Sequence, residues 1–192
     1  MHNVTDAFLE TERLVLRRFT PDDADLLIEL DSDPDVMRFL NGGRPTPPER
    51  IREEILPRLI GHYDRWPDYG MFAAFTKDGG EFVGWFALRP NEGDPDDEPE
   101  LGYRLRKAAW GRGYATEGSI ALVHKAFTDF GARRVYAETM TVNMGSRGVM
   151  EKAGLRYVRT FFPDLPPIEG SEHGEVVYEL TRDDWERRRE TR

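Results

Sequence analysis

Residues Trp110-Gly-Arg-Gly-Tyr-Ala-Thr-Glu117 decide how this chain is read. Two glycines one residue apart lie between a β-prone run, Glu100 to Leu105, and a segment of helical periodicity in which Ile120, Val123, Phe127 and Phe130 follow a three-four spacing. A helix start leaves its first backbone N–H groups unpaired, and with the helix dipole they form an anion site. Gly111 and Gly113 would let a phosphate approach the backbone, Arg112 adds positive charge, Ala115 is small and Thr116 is a candidate cap. The same glycines also suit a plain strand-to-helix turn. The dinucleotide pattern G-x-G-x-x-G is not met, because Thr116 stands at its last position, and no Gly-Lys-Ser/Thr follows to make a Walker loop.

Outward from this loop the chain alternates strand and helix signals. Arg13 to Arg18 reads as a strand, and Thr20-Pro21-Asp22-Asp23 opens a helix with a cap, a first-turn proline and acids at the positive end of the dipole. Asp33-Pro34 marks a turn or a fresh start. Thr46-Pro-Pro-Glu49 has the form of a capping box opening a second helix, which Pro57 should kink or split. Tyr69 to Thr76 and Phe82 to Leu88 are strands joined by the turn Lys77-Asp-Gly-Gly80. After an acidic loop, 91–99, and the Glu100 to Leu105 strand, the helix at the glycine loop should end at Gly131. Arg134 to Val142 is a strand, Asn143 to Ala153 a short helix, Arg156 to Phe162 and Glu175 to Leu180 further strands. The result is one α/β (α+β) domain over 1–192: a single mixed, mostly antiparallel sheet of about seven strands flanked by about four helices, with a core at about 11–182 and a charged tail at 183–192.

Composition narrows the function. At 192 residues the chain can bury roughly 70% of its unfolded surface, enough for a real core. There is no cysteine, which removes disulfides, thiolate metal sites and cysteine nucleophiles and suits a cytoplasmic setting; the four histidines are scattered, so no metal is expected. A net charge of −9 argues against nucleic acid and favours cationic partners such as amines. No apolar run reaches the ~20 residues of a membrane span, and the opening MHNVTDAFLE lacks the basic-then-apolar start of a signal peptide.

The segment Glu100-Leu-Gly-Tyr-Arg-Leu-Arg-Lys-Ala-Ala-Trp-Gly-Arg-Gly-Tyr-Ala-Thr-Glu117 resembles the acetyl-CoA loop of the GNAT superfamily of N-acetyltransferases, in the branch that includes the ribosomal-protein N-terminal (alanine/serine) acetyltransferases. The general pattern is Gln/Arg-x-x-Gly-x-Gly/Ala; Trp110 departs from it at the first position, as suits this branch, while Gly113 and Ala115 fill the others. Asn143-Met-Gly-Ser146 with Val149-Met-Glu-Lys-Ala-Gly154 resembles the second block, and Arg13 to Arg18 and Tyr178 to Trp185 fit the two ends.

The resemblance implies acetyl-CoA as cosubstrate and transfer of its acetyl group to a primary amine, on a protein N-terminus or a small molecule, by direct attack on the thioester. Backbone N–H groups of Gly111, Arg112, Gly113, Ala115 and Thr116 would cradle the pyrophosphate. The pantetheine arm would run beside Leu105 and Arg106, with the Leu105 amide as oxyanion donor. Asn143 would bond the pantetheine amides, Ser146 would meet the departing sulfur, and Arg147 would reach a coenzyme phosphate. An aliphatic ammonium has a pKa near ~10, so a base is needed: Glu100 comes first, Glu138 second, and His173 and Glu172 third, with His62 and His124 read as structural. Asn143 and Ser146 equally suit helix caps. Asp94, Asp96, Asp97 and Glu98 would draw in a cation or simply stay solvated, and Trp66, Tyr69, Phe161 and Phe162 would line the acceptor pocket or sit in the core. The sequence does not give the oligomeric state; a C2 homodimer is the commonest arrangement among oligomers. The competing function is a non-catalytic acyl-CoA-binding or regulatory module, against which Glu100, Asn143 and Ser146 together speak.

Overall fold

The computed structural model describes residues 7–190. Residues 1–6, which carry most of the segment read as lacking a signal peptide, and residues 191–192 of the charged tail lie outside it. Eight strands form one sheet in the order β1-β2-β3-β4-β5-β6-β8-β7. They are β1 (Ala7–Glu10), β2 (Leu14–Arg18), β3 (Gly70–Thr76), β4 (Phe82–Arg89), β5 (Glu100–Leu105), β6 (Arg134–Met140), β7 (Arg156–Phe161) and β8 (Glu175–Thr181). Every neighbouring pair is antiparallel except β5 with β6. The eighth strand is β1. It pairs with β2, and its Phe8 ring stacks on Phe72 at 3.7 Å.

The helices are α1 (Ala24–Ser32), α2 (Pro34–Asn41), α3 (Pro48–Arg50), α4 (Leu56–Arg65), α5 (Tyr114–Thr128), α6 (Met144–Lys152) and α7 (Arg182–Glu190), so the tail is helical as far as Glu190. Local chemistry explains their ends. The Thr20 N–H and hydroxyl both donate to the Asp23 carboxylate ahead of α1. Asp33 starts α2 afresh by accepting from the Asp35 N–H at 2.9 Å. Pro57 does not end its helix, which runs on to Arg65. The turn before it, Ile51–Ile55, widens into a π-helical turn between α3 and α4, which accommodates the missing N–H and the ring.

The expected capping box at Thr46 is absent. The helix begins at Pro48, and the Thr46 hydroxyl donates to Asp31 Oδ2 at 3.1 Å instead. Asp31 is buried and needs donors, so the tertiary bond wins. The buried face of α5 also differs from the aromatic and aliphatic spacing. Ile120 is 48% exposed, and the face is carried by Gly118, Ser119, Leu122, Val123, Ala126 and Phe127. Small residues let α5 lie close to the sheet: a Cβ at Gly118 would fall 2.3 Å from Phe86 Cζ.

The feature that positions the site is the β5–β6 junction. These parallel strands are in register at a single pair, Glu100 with Tyr136, and then diverge. Their splay leaves the second half of β5 with an unpaired edge in the middle of the sheet.

Candidate active site

A cavity of about 900 Å³ occupies this splay. On one side it meets the glycine loop, the start of α5 and the start of α6. On the other it meets α2, β4 and the carboxylates of Glu100, Glu138 and Glu175.

Trp110 fastens the glycine loop to β5 by donating its indole N–H to the Leu105 carbonyl at 2.9 Å. Gly111 and Gly113 have φ of 70° and 81°, so both need the left-handed conformation that only glycine takes freely. Gly113, not Thr116, is the N-cap of α5. Having no side chain, it leaves the first amides of a fifteen-residue helix uncapped beside the cavity. Gly111, Gly113, Ala115 and Thr116 all line it. Arg112 turns away: its guanidinium lies over the Tyr114 ring at 5.0 Å. Arg13 was legible only as the start of a strand, yet it clamps this loop. Its Nη1 donates to the Arg112 carbonyl at 2.9 Å and its Nε to Glu117 at 2.6 Å.

Just past the end of β5 the Arg106 N–H donates back to Val83 of β4 at 2.9 Å. Amides alternate along a strand, so those of Leu105 and Tyr103 face the splay. The Arg106 side chain leaves the cavity to pair with Glu29 at 2.5 Å. At the start of α6, Asn143 acts as the cap, accepting from the Ser146 N–H at 3.2 Å, while its amide nitrogen donates to Thr139 at 3.1 Å. The Ser146 hydroxyl lies 2.8 Å from the Tyr103 hydroxyl, which burial pushes up to about 12, so the phenol keeps its proton. Arg147 is not brought to the cavity; it bonds the Tyr178 hydroxyl at 3.1 Å and the Thr141 carbonyl at 3.0 Å.

Glu100 and Glu138 both line the cavity, with Glu175 of β8 as a third carboxylate. Burial raises the Glu100 pKa, with Asp94 and Glu175 adding to the rise and Asn91 and Arg89 opposing it. Glu138 is raised by burial and by the charges of Glu100 and Glu175, and Glu175 is raised by burial. Asn91 donates to Glu100 Oε2 at 2.7 Å and holds it in place.

The other candidates lie elsewhere. His173 and Glu172 are exposed and face each other at 3.6 Å. His124 packs near Trp185, and His62 near Trp66. The acidic loop is largely tied down, with Tyr136 donating to Asp94, Trp66 to Asp96, and Arg133 and Arg134 paired with Glu98. Tyr69 is core, Phe162 is 71% exposed, and the apolar wall of the cavity is instead Phe39, Leu40, Met71 and Trp85. Among the described residues no group of three or more His, Asp or Glu could hold a metal ion, and no helix is long and apolar enough to cross a membrane.

A splayed mixed sheet, a glycine-capped helix start and a hydroxyl and carboxylates around one cavity define an acyl-transfer fold. The family model described as acetyltransferase (GNAT) domain matches residues 13–156. The chain belongs to the GNAT acetyltransferase family. It is 40% identical over 186 residues to the FsC-acetyl coenzyme A-N(2)-transacetylase of Aspergillus fumigatus, covering 92% of this chain and 77% of that protein. Among solved structures it resembles a GNAT-family acetyltransferase from Bacillus anthracis, with TM-score 0.76 and 24% identity over 91% of this chain and 98% of that one. It also resembles the RimL ribosomal L7/L12 alpha-N-protein acetyltransferase in complex with coenzyme A, with TM-score 0.78 and 18% identity over 93% and 99% of the two chains.

Proposed function

We propose that this protein is an acetyl-CoA-dependent N-acetyltransferase whose acceptor is the primary amine of a small molecule. The observation that carries the proposal is that one cavity holds the open β5 edge, the uncapped start of α5, the Ser146 hydroxyl and three carboxylates of raised pKa. The glycine loop fits a pyrophosphate: an added Cβ at Gly111 would meet nothing, so the backbone there is open to a ligand. The small-molecule acceptor is favoured by the transacetylase relative at 40% identity, whereas the likeness to the ribosomal-protein enzyme, at 18%, is one of fold.

In this account the amides of Gly111, Arg112, Gly113, Ala115 and Thr116 bind the pyrophosphate. The β5 edge at Tyr103 and Leu105, rather than at Arg106, whose backbone N–H and carbonyl are already bonded, aligns the pantetheine arm, and Asn143 adds a polar contact to it. The Leu105 N–H meets the thioester oxygen as negative charge develops there. Glu100 takes the proton of the acceptor ammonium, directly or through water, and its raised pKa brings it nearer the range where a carboxylate works as a base. Glu138 and Glu175 hold the cationic form on arrival. Ser146, held by Tyr103, donates a hydrogen bond to the departing sulfur.

The test is free-thiol release from acetyl-CoA against alkylamines, amino-acid derivatives, polyamines and short peptides with free N-termini. Amine-dependent release, strongest with small amines, is expected. Release with peptides alone would move the acceptor to a protein N-terminus. Tight acetyl-CoA binding with no release for any amine would make the protein a binding module.

A further inference from the structure

The acceptor half of the cavity contains two arginines, and they differ in a way that points to a ligand. Arg104 has its charge paired, with Nη1 on the buried Asp31 at 2.7 Å and its guanidinium over the Trp85 ring at 5.1 Å, although its Nε, like that of Arg89, is buried without a hydrogen-bond partner. Arg89 makes no ion pair among the described residues. Its one hydrogen bond is long, from Nη1 to Asn91 Oδ1 at 3.3 Å, and its Nε is buried with no partner at all. A buried donor without an acceptor is a cost that a protein normally avoids. Here the residue that carries the donor lines the cavity.

Position gives it a target. Arg89 on β4 stands directly opposite Glu100 on β5, and such cross-strand neighbours point to the same face of the sheet. Asn91 bridges them, accepting from Arg89 and donating to Glu100. A planar fork of donors and a carboxylate therefore sit side by side at the place where the amine would enter, within the span of one small molecule. Guanidinium forks match carboxylate and carbonyl oxygens.

We propose that Arg89 is a specificity-determining residue that binds a carbonyl or carboxylate oxygen on the carbon next to the reacting amine, so that the acceptor class is α-amino carbonyl compounds. This rests on the acetyl-transfer reading above. Glu100 takes the amine end and Arg89 the oxygen end. An amine without that oxygen leaves the guanidinium desolvated and unpaired, and is disfavoured for that reason.

The test compares kcat/KM by thiol release for alaninamide and for 3-methyl-2-butylamine, which has the same shape but no carbonyl. Alanine serves as a third acceptor, to separate a neutral carbonyl from a free carboxylate. The wild-type protein should prefer at least one carbonyl-bearing acceptor by about tenfold or more, the size of one charge-assisted hydrogen bond. In Arg89→Gln the preference should fall by about tenfold or more, to what the lower basicity of an α-amino carbonyl compound alone gives, with Arg89→Lys between them. The ratio is taken within each variant, so the amount of folded enzyme cancels. Any general effect on Glu100 cancels too, because losing the Arg89 charge would alter proton uptake from every amine alike. A wild-type ratio near one, or an Arg89→Gln ratio equal to that of wild type, overturns the assignment and leaves the acetyl-transfer reading intact. No release with any amine sinks both together.

Discussion

Replacing Gly118 with alanine tests how α5 is seated on the sheet, and with it the glycine loop that α5 carries. The added methyl would lie 2.3, 2.5 and 2.9 Å from Cζ, Cε1 and Cε2 of Phe86. Carbon atoms in contact normally stand about 3.5–4.0 Å apart, so the overlap is about 1 Å across three ring atoms. Phe86 is fully buried at the centre of the sheet and cannot swing clear. Either the ring leaves its rotamer or α5 lifts. Overpacking of this kind costs about 1–3 kcal/mol, and the size of the overlap argues for the upper end. Alanine returns about 1 kcal/mol of helix propensity, leaving a net loss of about 2 kcal/mol. For a chain of this length that lowers Tm by about 4–8 °C. Urea unfolding reads the loss directly. Gly61→Ala on α4 is the control: nothing lies within 4 Å of its added Cβ, so it should gain up to about 1 kcal/mol. If Gly118→Ala matched or exceeded the wild-type stability, the close seating of α5 on Phe86 would be wrong.

Other outcomes follow from the carboxylates and the hydroxyl pair. The Glu100 pKa lies above its ordinary value of 4.5 in the folded state, so the native protein holds that proton more tightly than the unfolded chain and loses stability as pH rises from there through the folded pKa. Glu100→Gln removes this penalty; its Tm should exceed that of wild type at pH 7 and converge with it near pH 4, and a gap that widened on acidification would reverse the sign. Ser146→Ala should lower kcat by about 100-fold through loss of the donor to the sulfur, with acetyl-CoA affinity little changed in calorimetry; turnover within twofold of wild type would remove Ser146 from the chemistry. Asp31→Ala strands the Arg104 guanidinium and the Thr46 hydroxyl, and should destabilise by about 3 kcal/mol in denaturant titration.

Much of this was legible in the sequence because the signals were local. The glycine loop, the α5 stop near Gly131, the hairpin at Lys77 to Gly80 and the strand runs each follow from residues a few positions apart. Features that depend on distant residues were not legible. The strand β1 is only four residues long and takes its place from β2 and from Phe8 packing on Phe72. Thr46 looked like a cap but serves Asp31, fifteen residues earlier. The α5 face was misread at Ile120 because small residues, not large ones, make the close contact with the sheet. In the site, Glu100, Asn143 and Ser146 stood in recognisable blocks. Arg89 and Glu175 did not, and Arg13 and Tyr103 stood in such blocks with no role assigned, since each reaches the site through strand pairing or a clamp across the chain, such as the one from Arg13 to Glu117, 104 positions on. Arg147 carried a plausible charge, but Tyr178 and the Thr141 carbonyl take it up.

The central claim is that the cavity between β5 and β6 binds acetyl-CoA on one side and activates an amine on the other. The most direct measurement is a paired one on wild-type protein and Glu100→Gln: calorimetric titration with acetyl-CoA, and thiol release with an accepted amine. The account predicts equal acetyl-CoA affinity in the two proteins, with turnover in the variant reduced by about 100-fold or more and partly restored at high pH, where more of the amine is already neutral. Failure of the wild-type protein to bind acetyl-CoA, or undiminished turnover by Glu100→Gln, would contradict it.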